Sequence, residues 1–197
     1  MTEQLLKYIP ENSVKLVSEI LVQHPIAIKI VNNRTTKHGD FKKTRNGKCE
    51  ITINNSLNPY QFLLTLIHEI AHFTTHKQYK RVKPHGIEWK RNFQHLMLPF
   101  IDPSIFPKNL LPHLAKYLIN PKASTGSDVN LTYALKQYDP NSDMNYIIEI
   151  QQGSIFTFNN KTYKKGAIRR TRIECIEISS NRIYLFNQNA EVNLVTK

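Results

Sequence analysis

The stretch TLIHEIAHFTTHKQYK, residues 65–80, sets His68, His72 and His76 four residues apart inside an apolar run, with Glu69 among them. On an α-helix, residues four apart lie one above the other, with about 6 Å between side-chain origins. His68 and His72 can then offer two imidazole nitrogens to one ion at about 2.0–2.1 Å. Glu69 lies about 100° further round the helix. That keeps it off the ion but within reach of a water beside it, which is the mechanical content of H-E-x-x-H: two ligands and one general base. At this composition the pattern arises by chance in about one chain in sixty. Leu63, Leu64, Ile67 and Ala71 flank it, so part of the stripe is expected to be buried. Two buried imidazoles and a carboxylate are costly without a partner. A metal site is the expectation, against the plainer reading of a surface helix with coincidental histidines.

The helix has a marked start. Asn58 can cap it, Pro59 suits the first helical position, and Gln61 stands at the capping-box place. Phe62, Leu66, Ile70 and Phe73 then form one apolar stripe.

A catalytic zinc keeps three protein ligands and one open position. His76 is two turns from His68, about 12 Å along the axis, too far to share the site, and is expected at the exposed helix end. The extended metzincin pattern would need Gly at 75 and His at 78, where this chain has Thr75 and Gln78. Two third ligands stay open on spacing: Glu88, the only glutamate between Glu69 and Glu149, and His85, where Pro84-His85-Gly86 can make a tight return over the first helix.

The longer stretch HEIAHFTTHKQYKRVKPHGIEWKRNF resembles the core of the SprT-like metalloproteases, the family that includes Spartan. That family pairs H-E-x-x-H with a downstream His-Gly before a tryptophan-containing helix. The resemblance covers about residues 1–100. It implies zinc held by His68, His72 and His85, Glu69 as the catalytic glutamate, and Trp89 at the family's tryptophan, where packing is the expected role. It implies a zincin-like α+β domain, a small sheet with the H-E-x-x-H helix and following helices. It also implies a metallopeptidase that acts on proteins bound or crosslinked to DNA. Many members end in a four-cysteine zinc ribbon. The C-terminal segment here has only Cys175, so a metal-free all-β appendage is expected instead.

Around the histidine helix the chain organises itself by period and punctuation. Residues 11–24 read as an amphipathic helix ending before Pro25, and Ile26, Ile28 and Ile30 alternate as in a strand. TRNGKCEITIN carries an Asn46-Gly47 turn and reads as a hairpin, with Cys49 as a small core residue. Residues 85–97 read as a second helix opening at Gly86, and a proline-punctuated stretch follows with one short helix near its end. The expected division is a domain over 1–120, a polar linker over 121–145 and a small basic β domain of three or four strands over 146–197.

The 197 residues carry 27 basic and 15 acidic side chains, a formal charge of +12, and are 40% hydrophobic, enough to fill a core. Such a balance attracts polyanions, nucleic acid first. The basic residues expected to contact DNA, single-stranded or at a junction, are Lys80, Arg81, Lys83 and Lys90 beside the metal site, with Arg169, Arg170 and Arg172 in the appendage. Phe156, Phe158, Tyr163, Tyr184 and Phe186 accompany the second group. They could stack on bases, but a domain of about 50 residues needs most of its rings inside. Two isolated cysteines, no apolar leader and no membrane span point to a cytoplasmic protein with no membrane partner. A DNA-independent zinc peptidase and a non-enzymatic DNA-binding protein with structural zinc are the competing readings.

Overall fold

The computed structural model describes residues 3–34, 36–140 and 145–195. The chain divides into two compact units, Met1–Asp139 and Pro140–Lys197. The protein is α+β, with six α-helices and two small sheets among the described residues. None of these helices is long and apolar enough to cross a membrane.

The first unit opens with a four-residue helix α1 (Glu3–Leu6) and α2 (Val14–Gln23), entered through a 3-10 turn at Glu11–Ser13. Three strands follow: β1 (Ala27–Val31), β2 (Gly39–Lys43) and β3 (Cys49–Asn54). The expected hairpin is β2–β3, with Gly47 at φ 82° in its turn. β3 is central, antiparallel to β2 and parallel to β1, so both β1 and β2 are edges. Cys49, expected in the core, is only half-buried.

α3 (Pro59–Gln78) is the axis of the unit. An amphipathic stripe was the expectation, but the helix is buried nearly all round: Leu63, Leu64, Leu66, Ile67 and Ala71 are each 0% exposed. It is enclosed by the sheet on one side and by α4 (Ile87–Met97) on another, as a helix hydrophobic on every face must be. Asn58 caps it as predicted, its side-chain oxygen accepting from the Tyr60 and Gln61 amides at 3.1 and 2.9 Å.

The expected linker over 121–145 is corrected. After α5 (Leu111–Ile119) and a 3-10 turn at Thr125–Ser127, residues Val129–Lys136 form α6. Asp128 caps α6 by accepting from Leu131 N–H at 3.0 Å. Leu131, Ala134 and Leu135 join the main core. The polar residues that read as a linker are a turn and a cap, and residues 141–144 of that span lie outside the described residues.

α6 is tied to α3 through Asn58, whose amide donates to the Leu135 carbonyl at 3.0 Å and to Asp139 at 2.6 Å. Asn58→Ala therefore removes a cap and orphans a buried carbonyl. It is expected to lower stability by about 2–3 kcal/mol in denaturant titrations that follow this unit, more than an ordinary cap loss.

The second unit is a six-stranded sheet rather than one of three or four strands. It comprises β4 (Asn145–Tyr146), β5 (Ile155–Phe158), β6 (Lys161–Arg169), β7 (Arg172–Glu177), β8 (Ile183–Asn187) and β9 (Glu191–Leu194). Its order is β4-β9-β5-β6-β7-β8, antiparallel throughout. β4 and β9 are too short and polar to reveal themselves by alternation. Asn159 and Asn160, both with positive φ, make the two-residue β5–β6 turn. Phe156, Tyr163 and Phe186 pack together in the core with Cys175, which leaves these three rings unable to stack on bases.

Candidate metal centre

α3 places His68 and His72 on one face, and a turn brings the third imidazole to them. Gly86 N–H donates to the Lys83 carbonyl at 2.9 Å, with Pro84 second and His85 third in the turn. His85 has φ 57°. Proline fixes φ near −65°, and a positive φ at the next residue then makes this a type II turn, where glycine is the usual occupant. A histidine there costs about 1–2 kcal/mol of backbone strain. The turn brings its ring to the other two: His85 Nε2 lies 2.9 Å from His72 Nε2 and 3.3 Å from His68 Nε2, and those two are 3.2 Å apart.

This triangle cannot be satisfied by hydrogen bonds alone. Each contact needs one protonated and one bare nitrogen, and three mutual contacts cannot all alternate. A cation facing three lone pairs resolves the conflict. A tetrahedral ion with bonds of about 2.0–2.1 Å sets its ligand atoms about 3.3–3.4 Å apart, close to the spacing found. The residues present therefore fit zinc. Three protein ligands leave a fourth position for water or substrate.

The rings are held by aromatic packing, stacked for His72 and tilted or edge-on for His68 and His85. Trp89, 1% exposed, lies 4.6 Å from the His68 and His85 ring centres and 5.2 Å from that of His72, and Phe93 stacks behind it at 5.1 Å. Trp89 is thus the packing anchor expected of it. Burial, with the mutual repulsion of the rings, pushes His68 down to about 3 and His72 to about 4; burial alone lowers His85. All three imidazoles are neutral at physiological pH, as metal ligation requires.

Glu69 is 6% exposed and points the other way, toward β2. Burial and the nearby Asp40 charge raise its carboxyl to about 7, opposed by the Phe41 N–H, Arg34 and Lys37. Glu69 and His68 line a cleft of about 330 Å³ walled by residues 36–39 on one side and by Ala123, Ser124 and Gly126 on the other. Asn54 N–H donates to the His38 carbonyl at 2.9 Å. In an antiparallel pair, bonded and non-bonded residues alternate, so residues 38, 40 and 42 face β3, and 39, 41 and 43 present their backbone groups to the open edge. That edge is rigidly seated. Fully buried Asn54 donates to Asn33, the Arg34 carbonyl and the Lys37 carbonyl at 2.9–3.1 Å, while Arg34 bonds back to Asn54 and Thr52.

Gly39, Phe41, Asn54 and the 123–126 wall escaped the sequence reading. Gly39 carried a signal, since a lone glycine entering a strand marks close approach of another group. The wall carried none, because its residues looked like linker.

Of the other residues considered, His76 is exposed at the end of α3 with its ring 5.7 Å from that of Phe41. Glu88 lies in the first turn of α4, outside the histidine group. Lys80, Arg81 and Lys83 are exposed on the α3–α4 connection, and Lys90 donates to Asn120 at 2.6 Å. Arg170 and Arg172 are exposed at the β6–β7 turn, where Arg169 pairs with Glu174 at 3.1 Å.

Comparison with protein families matches residues 11–103 to the SprT-like family. Comparisons with curated proteins and with solved structures each returned no match.

Proposed function

Residues 11–103 being a SprT-like domain, we propose that this chain is a zinc-dependent metallopeptidase of zincin-like fold with Glu69 as general base, acting on proteins bound or crosslinked to DNA. The observation that carries this reading is the convergence of three neutral imidazoles, one of which, His68, shares an open cleft with the buried Glu69 carboxyl. His68, His72 and His85 would hold the zinc. When bound, zinc supplies Lewis-acid activation of a water and polarisation of the scissile carbonyl. The chain does the remaining work. The open edge of β2 offers backbone groups to an extended substrate by strand addition. Glu69 takes a proton from the attacking water and returns it to the leaving amine as the C–N bond breaks. Trp89 and Phe93 hold the histidine rings in place, so the geometry costs little to assemble.

The DNA component rests on charge: +12 overall, with Lys80, Arg81 and Lys83 exposed on the connection that delivers His85. Purified protein is expected to carry about one zinc per chain and to cleave a DNA-bound protein faster than the same protein free. The acceleration should fade as salt rises. Cleavage indifferent to DNA would leave a general peptidase. Zinc-loaded protein that cleaves nothing, with DNA affinity surviving chelation, would leave a DNA-binding protein with structural zinc.

A further inference from the structure

Gly39 stands where no other residue fits. A Cβ built on it would lie 2.7 Å from Thr65 Cγ2, 2.9 Å from Glu69 Oε1 and 3.0 Å from Glu69 Cγ. Its backbone is not in the left-handed region, so the requirement is for space rather than conformation. The two neighbours differ in how they can respond. The Thr65 hydroxyl donates to the Gln61 carbonyl at 2.8 Å, which fixes its rotamer and pins the methyl group. The Glu69 carboxylate is the end of a flexible side chain, so it is the group that would move. Behind Gly39, the strand cannot retreat, because the His38, Arg34 and Lys37 carbonyls are all bonded to fully buried Asn54.

We infer that Gly39 is a positioning residue. Its missing side chain leaves the space that the Glu69 carboxylate occupies against the start of β2, and the backbone of β2 thereby sets where the general base sits. Gly39 presents its backbone groups to the open edge while its α-carbon lies against Glu69, so strand and base are a single template: an extended chain adding to this edge meets the base beside it. The assignment to catalysis rests on the peptidase reading; the steric coupling between Gly39 and Glu69 does not.

The test uses the full chain with Gly39→Ala. In zinc-loaded protein, kcat is expected to fall by about tenfold to a hundredfold, with KM within about twofold and zinc content unchanged, since substrate and metal contacts are left in place. A variant that keeps wild-type kcat overturns the inference. The second measurement needs no activity. In metal-free protein Gly39→Ala is expected to lower Tm by about 5 °C, and this loss should shrink to about a third or less in a Thr65→Ser/Glu69→Ala background, where the obstructing atoms are gone. An equal loss in both backgrounds overturns it. Wild-type protein that cleaves nothing would reject the peptidase reading and leave this melting cycle to decide the steric claim.

Discussion

Glu69→Gln is expected to lower kcat/KM by about 10²–10⁴-fold, the range spanned by loss of a positioned acid–base group, while zinc content stays at that of the wild type. The amide matches the carboxylate in shape, so it fits the same gap at Gly39. What it lacks is basicity. Glu69 lies outside the three-nitrogen group, so its loss removes no ligand. The fold should not suffer either, because a neutral amide replaces a buried carboxylate that burial already disfavours. The informative result is therefore a separation: activity gone, metal and melting temperature kept. Retention of more than about a tenth of wild-type activity would remove Glu69 from the chemistry. Loss of zinc together with activity would mean that the carboxylate holds the site together rather than working in it.

The parts of this site that were legible in the sequence are those carried by one helix. His68, Glu69 and His72 follow from helical spacing alone, and the Asn58 cap with Pro59 fixed where that helix begins. His85 was one of two options on spacing, because a turn can aim its residues in many directions. Only the combination of Pro84 with a positive φ at His85 sends this ring back over α3. The surroundings of Glu69 were not legible, since they depend on which strand lies over α3. A hairpin was readable at Asn46-Gly47, but its β2 arm, GDFKK, has little apolar alternation. Nothing local said that β2 would be an edge facing the cleft.

The same limit explains the misreading of residues 121–139. Helix α6 has eight residues, too few to be stable alone, and exists because Leu131 and Leu135 meet a core built by distant elements. Its polar approach, KASTGSDVN, has the composition of a linker and serves as one wall of the cleft. In the second unit, by contrast, β7 lay within a segment that alternated visibly in sequence, whereas β6 carries the adjacent Lys164 and Lys165. The bland expectation for its rings holds for Phe156, Tyr163 and Phe186, while Phe158 and Tyr184 are only partly covered.

His85→Ala is expected to weaken zinc binding by more than about a hundredfold, since losing even a residue that only supports a ligand costs ten- to a hundredfold, and to abolish cleavage at ordinary zinc concentrations. The fold itself should survive. His85 sits in an exposed turn whose closing bond, Gly86 N–H to the Lys83 carbonyl, is made by backbone and does not need the ring. With chelator present, the melting temperature should match the wild type; with saturating zinc, the wild type should gain stability that the variant lacks, a deficit of about 2.7 kcal/mol for each hundredfold in affinity. His76→Ala is the matched control on the same helix. Its ring packs beside Phe41, away from the three nitrogens, so zinc and activity should both persist. Glu88→Ala closes the alternative left by spacing. Zinc lost from Glu88→Ala but kept by His85→Ala would transfer the third position to the carboxylate. The three-imidazole centre, and the peptidase reading built on it, would then fall together.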